Sequence, residues 1–181
     1  MPQKLAITSR FAGGSAVRWG KLFGLGAVIG VLTGLAASAL RYGLDFGIEH
    51  LIGRYADLGG VQVWEFHWGV LLLPTLGGLL SGVLVYWLAG RDEKHGTNQV
   101  IDAFHYRGGN LDLPGPTTKA GAAVAVISLG GSAGPEAPIA ALGSSIGSKV
   151  ARLLALTPHE RRIMLVAGCA GGVGAVFQCP L

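Results

Sequence analysis

The residues most able to do chemistry sit in one short interruption of an apolar stretch: Gly130-Gly131-Ser132-Ala133-Gly134-Pro135-Glu136-Ala137-Pro138. Glu136 is the one ionisable residue between Lys119 and Lys149. An acid in so apolar a setting is costly unless it finds a partner or serves a purpose. The glycines and prolines around it cannot continue one regular helix. They predict a helix ending near Gly130 and a second beginning near Glu136, with Pro138 in its first turn, where a missing N–H costs nothing. A helix that begins at membrane depth points unpaired N–H groups and a positive dipole end into a low-dielectric region. Such an end binds anions with backbone alone, and discontinuous membrane helices of transporters use the device. The Glu136 carboxylate can occupy that site in competition with a mobile anion. On protonation it loses much of the attraction and can swing away, so one residue would couple anion occupancy to proton binding. The alternative is a capping acid that faces the headgroups and is held by the helix dipole.

Other chemistries lack their residues. The glycine-rich segment has no Gly-Lys-Ser/Thr ending of a phosphate-binding loop, and no GxGxxG follows a predicted strand. Cys169 and Cys179 form no CxxC and have no metal-type spacing with histidine, so they read as small buried apolar residues. No cofactor or metal is expected, and the chain is not expected to be an enzyme. The net charge of +4 does not imply nucleic acid, because Lys and Arg are not clustered with interleaved aromatics.

The elements that must position Glu136 are apolar. Half of the 181 residues are hydrophobic and only 13% are charged, about half the usual share of soluble domains, near 25%. Leu22 to Leu40 and Trp68 to Gly90 carry no charge, Ala120 to Ser148 carries Glu136 alone, and Ile163 to Leu181 carries none. A spanning helix needs about 20 predominantly apolar residues, which the first two stretches meet on every face. The 31 glycines lie largely inside these runs. Gly26, Gly30 and Gly34, then Gly78 and Gly82, then Gly143 and Gly147 recur every fourth residue and predict flat strips for close helix contact. Trp64, Trp68 and Trp87 read as interface anchors, and His105-Tyr106-Arg107 as a wet interfacial patch. Thr157 and Pro158 read as the cap and first turn of a helix containing His159-Glu160-Arg161-Arg162.

Flanking charge predicts orientation. Residues 1–21 carry Lys4, Arg10, Arg18 and Lys21 without an acid, which predicts a cytoplasmic N-terminal segment. The loop after Arg41, with Asp45, Glu49, Arg54, Asp57 and Glu65, is predicted external. The Arg91 region and the turn flanked by Lys149, Arg152, Arg161 and Arg162 are predicted cytoplasmic.

The motif Gly134-Pro135-Glu136-Ala137-Pro138 is similar to the Gly-Arg/Pro-Glu-Gly-Pro motif of CLC chloride channels and chloride/proton antiporters. The longer run from Gly130 to Gly147 looks like the same family segment. Upstream, His95-Gly96-Thr97-Asn98-Gln99-Val100 and then Arg107-Gly108-Gly109 resemble the region of the family's Gly-Ser-Gly-Ile-Pro motif. Downstream, Gly168 through Phe177-Gln178-Cys179-Pro180-Leu181 resembles a helix ending in Phe-Asn-Ala-Pro-Leu. These segments follow the family's order between about Lys94 and Leu181.

The resemblance implies an all-α integral membrane protein of tilted and broken helices, with residues 22–181 as the N-terminal part of the transmembrane domain, roughly its first inverted repeat. It implies chloride or a similar anion as the transported ion, Glu136 as the gating glutamate, and an anion-binding set of His95, Gly96, Thr97, Gly134, Ala137, Pro138 and Ile139. It further implies a multi-pass protein of the bacterial inner membrane that is homodimeric at full length. Asn98, Ala137 and Pro135 depart from the motif residues, and His95 stands where serine is usual; His95 could instead be a solvated loop residue. Family members are considerably longer. The chain is therefore expected to be truncated before the inner proton-transfer glutamate and the pore tyrosine, and to be inactive alone. A non-transporting membrane scaffold is the competing reading.

Overall fold

The computed structural model describes residues 3–53, 68–88 and 96–179. All regular structure among them is helical: α1 (Gln3–Gly47), a π-helical segment (Ile48–Gly53), α2 (Trp68–Leu88), α3 (Thr97–His105), α4 (Pro114–Ser128), α5 (Glu136–Leu153) and α6 (Pro158–Phe177). The all-α expectation holds.

Helix α1 is longer than the apolar run that predicts it. It continues past Leu40 through Asp45, where an Arg41–Asp45 pair one turn apart, at 4.0 Å, suits the helical surface. Asp45 and Glu49 therefore lie on helical turns rather than in a loop, whereas Arg54, Asp57, Glu65, Trp64 and the Arg91 region fall outside the described residues. Within α1 and its π-helical continuation, Trp19–Leu51 is long and apolar enough to cross a membrane, and only 17% of its most apolar window is buried within the protein. Phe23, Val31 and Leu35 face outward, Phe23 at 75% exposure. On α2, Leu79, Tyr86 and Trp87 do the same. Apolar surface this continuous needs a nonaqueous neighbour.

The glycine rows divide. On Gly143 and Gly147 of α5 an added Cβ would run into the carbonyls of Gly168 and Met164 on α6, so this row makes the close crossing its spacing predicts. Gly171 of α6 packs on α1: a Cβ there would lie 2.5 Å from the Thr33 hydroxyl and 3.3 Å from the Gly30 Cα. Thr33 is fully buried and returns its hydroxyl to the carbonyls of Ile29 and Gly30, at 2.9 and 3.1 Å. By contrast, an added Cβ at Gly26, Gly34, Gly78 or Gly82 meets nothing within 4 Å. On α2 it is Gly77 that approaches the end of α4, where an added Cβ would lie 2.9 Å from the Leu129 Cβ and 3.4 Å from the Val126 carbonyl. Spacing lays glycines on one face; it does not say which face finds a partner.

Small apolar side chains fill the core. Ile139 packs with Ala37, Leu40, Leu44 and Ala120, Leu165 with Val100, Ala103, Leu111 and Ala141, and Met164 with Ile29, Ala151 and Leu156. Leu22 and Leu25 join the last group, which brings Lys21 to the end of the molecule that holds the α5–α6 turn. Helix α6 opens as predicted. Thr157 is its N-cap and Pro158 its first residue, and Glu160 closes a capping box in which the Thr157 amide and hydroxyl both donate to the Glu160 carboxylate, at 3.0 and 2.8 Å. Such a box satisfies amides that otherwise lack partners.

Candidate functional site: two uncapped helix starts at one cleft

The predicted interruption exists and lies where the sequence puts it. Helix α4 ends at Ser128 and α5 begins at Glu136. Gly130 turns the chain at φ +84°, a conformation glycine adopts without the Cβ penalty. Gly131 then donates to the Val126 carbonyl at 2.9 Å, and a Cβ on it would collide with the Val126 side chain. Glycines here are demanded by a chain doubling back on the end of its own helix.

The start of α5 lacks a side-chain cap. The amide of Ile139 donates to the Pro135 carbonyl at 3.0 Å and closes the first turn. Pro138 has no N–H. The amides of Glu136 and Ala137 donate to no acceptor among the described residues. The start of α3 is similar: its N-cap Gly96 offers no side chain, Gln99 donates back to the Gly96 carbonyl at 3.2 Å, and the amides of Thr97 and Asn98 find no acceptor among the described residues. Helix starts in this condition are electropositive and donor-rich.

Backbone geometry brings the two starts together. Gly96 holds φ 49°, ψ −120°, outside the regions open to residues with a Cβ. A Cβ there would lie 3.1 Å from the Ala137 Cβ. An open cleft of about 450 Å³ joins them, lined by Gly96, Thr97 and Asn98 from α3, by Ala137, Pro138 and Ala141 from α5, and by Ala133 of the interruption. Helix α4 contributes Lys119, Ala122, Ala123 and Val126, and α2 contributes Ser81 and Val85.

Of the residues singled out by sequence, Gly96, Thr97, Ala137 and Pro138 meet at this cleft. Ile139 does not reach it: its side chain is wholly buried against α1 and α4 and its amide is spent on the helical turn. Gly134 and Glu136 stand beside the cleft, both exposed, with the Glu136 carboxylate folded against Gly134. His95 lies outside the described residues. Sequence reasoning passed over Lys119, because it stands at the edge of a long run, Ala120 to Ser148, in which Glu136 is the one charge. In the fold it sits in the second turn of α4. A lone lysine on a helix of small apolar residues was the available signal.

At the opposite end of α3, Asp102 pairs with Arg107 at 2.9 Å, while His105 and Tyr106 are exposed as a polar patch. Ser148 of α5 ties the following loop in place. It donates to the Gly109 carbonyl at 2.6 Å and accepts from the Leu111 amide at 3.0 Å.

Broken helices, glycine-mediated crossings and outward apolar faces are consistent with an all-helical membrane protein, with a cleft bordered by two helix starts at its break. The family described as voltage gated chloride channel matches residues 77–181, more than half of the chain, and the chain belongs to that family, whose members are membrane proteins. It is 26% identical over 162 residues to the voltage-gated ClC-type chloride channel ClcB of Salmonella typhimurium, covering 87% of this chain and 38% of that protein. It is 27% identical over 164 residues to a chloride/fluoride channel protein of Pseudomonas syringae pv. tomato, covering 89% and 32%. An uncharacterised protein of Methanocaldococcus jannaschii is 33% identical over 145 residues, covering 75% and 34%. The chain thus spans about a third of the length of the curated relatives it matches. No solved structure matches it.

Proposed function

We propose that this chain forms the N-terminal part of a CLC-type pathway for chloride or a similar anion, with the α3–α5 cleft as an anion site and Glu136 as its gate. One observation carries the reading: two helix starts, whose leading amides have no acceptor among the described residues, border a single cleft, and Glu136 begins one of them next to the lining residue Ala137. Unpaired amides at depth need an acceptor, and a monoatomic anion supplies one without bringing a donor that would compete. With Glu136 ionised, its carboxylate is a tethered rival for the same amides. Protonated, it no longer competes, so proton binding and anion occupancy exclude each other.

The same reading makes the protein multi-pass in a bacterial inner membrane and homodimeric at full length. Its cytoplasmic side is the end that gathers Lys21, Lys149, Arg152, Arg161 and Arg162, in keeping with the bias of cytoplasmic flanks toward Lys and Arg. Residues 1–181 alone are expected not to conduct, because the cleft is open and the chain spans about a third of the length of its relatives.

The test is ion flux from liposomes containing the full-length protein. Chloride efflux is expected. Glu136→Gln is expected to keep anion flux and to abolish any coupled proton movement. Absence of anion flux from the wild-type protein would leave the scaffold reading, in which the Gly143/Gly168 crossing serves helix association alone.

A further inference from the structure

We infer that the α5–α6 turn, together with the adjoining part of α1, is a docking surface for an anionic phospholipid, which it holds by the phosphate. The inference uses the membrane embedding of the family and is independent of the anion-pathway reading. The turn reads Leu153-Leu154-Ala155-Leu156. Turns that face water favour polar residues, glycine and proline, yet Leu153 is 77% exposed and Leu154 48%. Their neighbours are charged. Lys149, Arg152 and Leu153 lie at i, i+3 and i+4 in the last turns of α5, which puts them on one face, and all three are exposed. Exposed leucines among exposed cations suit neither water nor hydrocarbon. They suit the boundary between headgroups and acyl chains, where apolar side chains enter the bilayer and long basic ones reach back to the phosphates.

Helix α1 supplies the rest of the surface. Leu22 packs with Val150 against the cluster of Ile29, Ala151, Leu156 and Met164, so Lys21 and Lys149, each next in the chain to one of that pair, come to the same end of the molecule. Trp19, one turn before Leu22, is 57% exposed and is of the residue type enriched at headgroup level. The described acids at this end are engaged. Asp112 pairs with Arg152 and Asp102 with Arg107, each at 2.9 Å, and the Glu160 carboxylate closes the capping box. Arg161 and Arg162 donate to neutral acceptors, the Asn110 side chain and the carbonyls of Leu156 and His105. Lys21 and Lys149 form no ion pair among the described residues. This end therefore carries surplus positive charge with two ammonium groups open to an outside anion. The helix dipole favours Lys149 and Arg152 at the end of α5, but it gives no reason for the exposed leucines beside them. A phosphodiester attached to acyl chains meets both needs. A zwitterionic headgroup brings its own cation to the phosphate, so the preference is for a headgroup of net negative charge.

The experiment adds a mixture of phosphatidylglycerol and phosphatidylcholine to the full-length protein in detergent and counts retained lipids by native mass spectrometry. Wild type is expected to retain phosphatidylglycerol in preference. The double variant Lys21→Gln/Lys149→Gln is expected to weaken that retention roughly tenfold or more, since each lysine near an anionic surface is worth about fivefold. Lys21→Arg/Lys149→Arg is expected to keep most of it. Millimolar inorganic phosphate is expected to leave the lipid in place; displacement by it would make this a site for free phosphate and overturn the inference. Equal retention of the two lipids by wild type overturns it and leaves an acidic protein segment as the occupant. A double glutamine variant within about twofold of wild type overturns it as well. Should the variants fail to fold, wild type in nanodiscs decides. Phosphatidylglycerol with a photoactivatable headgroup is expected to cross-link within residues 149–157, and cross-links found only elsewhere overturn the inference. Anion flux is not read, so a protein that conducts nothing still answers the question.

Discussion

Gly143 and Gly168 exclude a side chain from each other. A methyl group on Gly143 would fall on the carbonyl oxygen of Gly168, and one on Gly168 would fall on the carbonyl oxygen of Gly143. The contact is backbone on backbone, so neither side can turn aside to make room. This crossing sets the direction of α5 and with it the position of Glu136 and Ala137 at the start of that helix.

Gly143→Ala and Gly168→Ala are each expected to destabilise the full-length protein by about 1–3 kcal/mol, the usual cost of overpacking a close contact, and to lower its melting temperature in detergent. Gly78→Ala is the control, with open space around the added methyl. It is expected to be neutral or to stabilise by up to about 1 kcal/mol, because alanine is the better helix former. Equal effects at Gly78 and Gly143 would remove the packing argument.

Gly134→Ala tests the resting place of the Glu136 carboxylate and its proposed gating role. The added methyl would strike the carboxylate of Glu136, a flexible group that can yield, while the backbone of Gly134 is not at positive φ and accepts alanine. The carboxylate is expected to move off Gly134 toward the cleft and to slow anion flux. In a Glu136→Gln background, with no charge left to compete for the amides, the same substitution is expected to do little. Equal slowing in both backgrounds would trace the effect to the backbone.

Gly96→Ala should damage the site from the α3 side. It forces a residue with a Cβ into φ 49°, ψ −120°, at a cost of about 1–3 kcal/mol, and crowds Ala137. Relief comes by rotating the start of α3, which turns the Thr97 and Asn98 amides away from the cleft. Chloride binding is expected to weaken by more than stability falls. Calorimetry and melting on the same preparation separate the two.

Ser148→Ala removes both a donor to Gly109 and an acceptor for Leu111 at a buried position. Stranding buried backbone groups costs about 1–3 kcal/mol. The loss is expected to show in the melting temperature and as faster hydrogen exchange at Leu111, while anion affinity holds because α3 and α5 keep their starts. A Ser148→Thr variant that retains the hydroxyl should recover part of the stability.

The sequence by itself determined the helical class and the break. Uncharged runs leave helices as the economical way to satisfy backbone groups away from water, and Gly130 through Pro138 cannot continue a helix. It also determined the local caps, since Thr157, Pro158 and Glu160 act within one turn. Only the tertiary structure decided which glycine strips find partners, because a four-residue spacing is the same whether the face meets a helix, as at Gly143, or open space, as at Gly82. Only the fold brought Gly96 against Ala137, a contact across the whole of α4. It also withdrew Ile139 into the core and placed Lys119 in the cleft wall. These outcomes depend on where separate helices cross, and crossing positions are set by the packing of both partners together, which no single helix's residues encode.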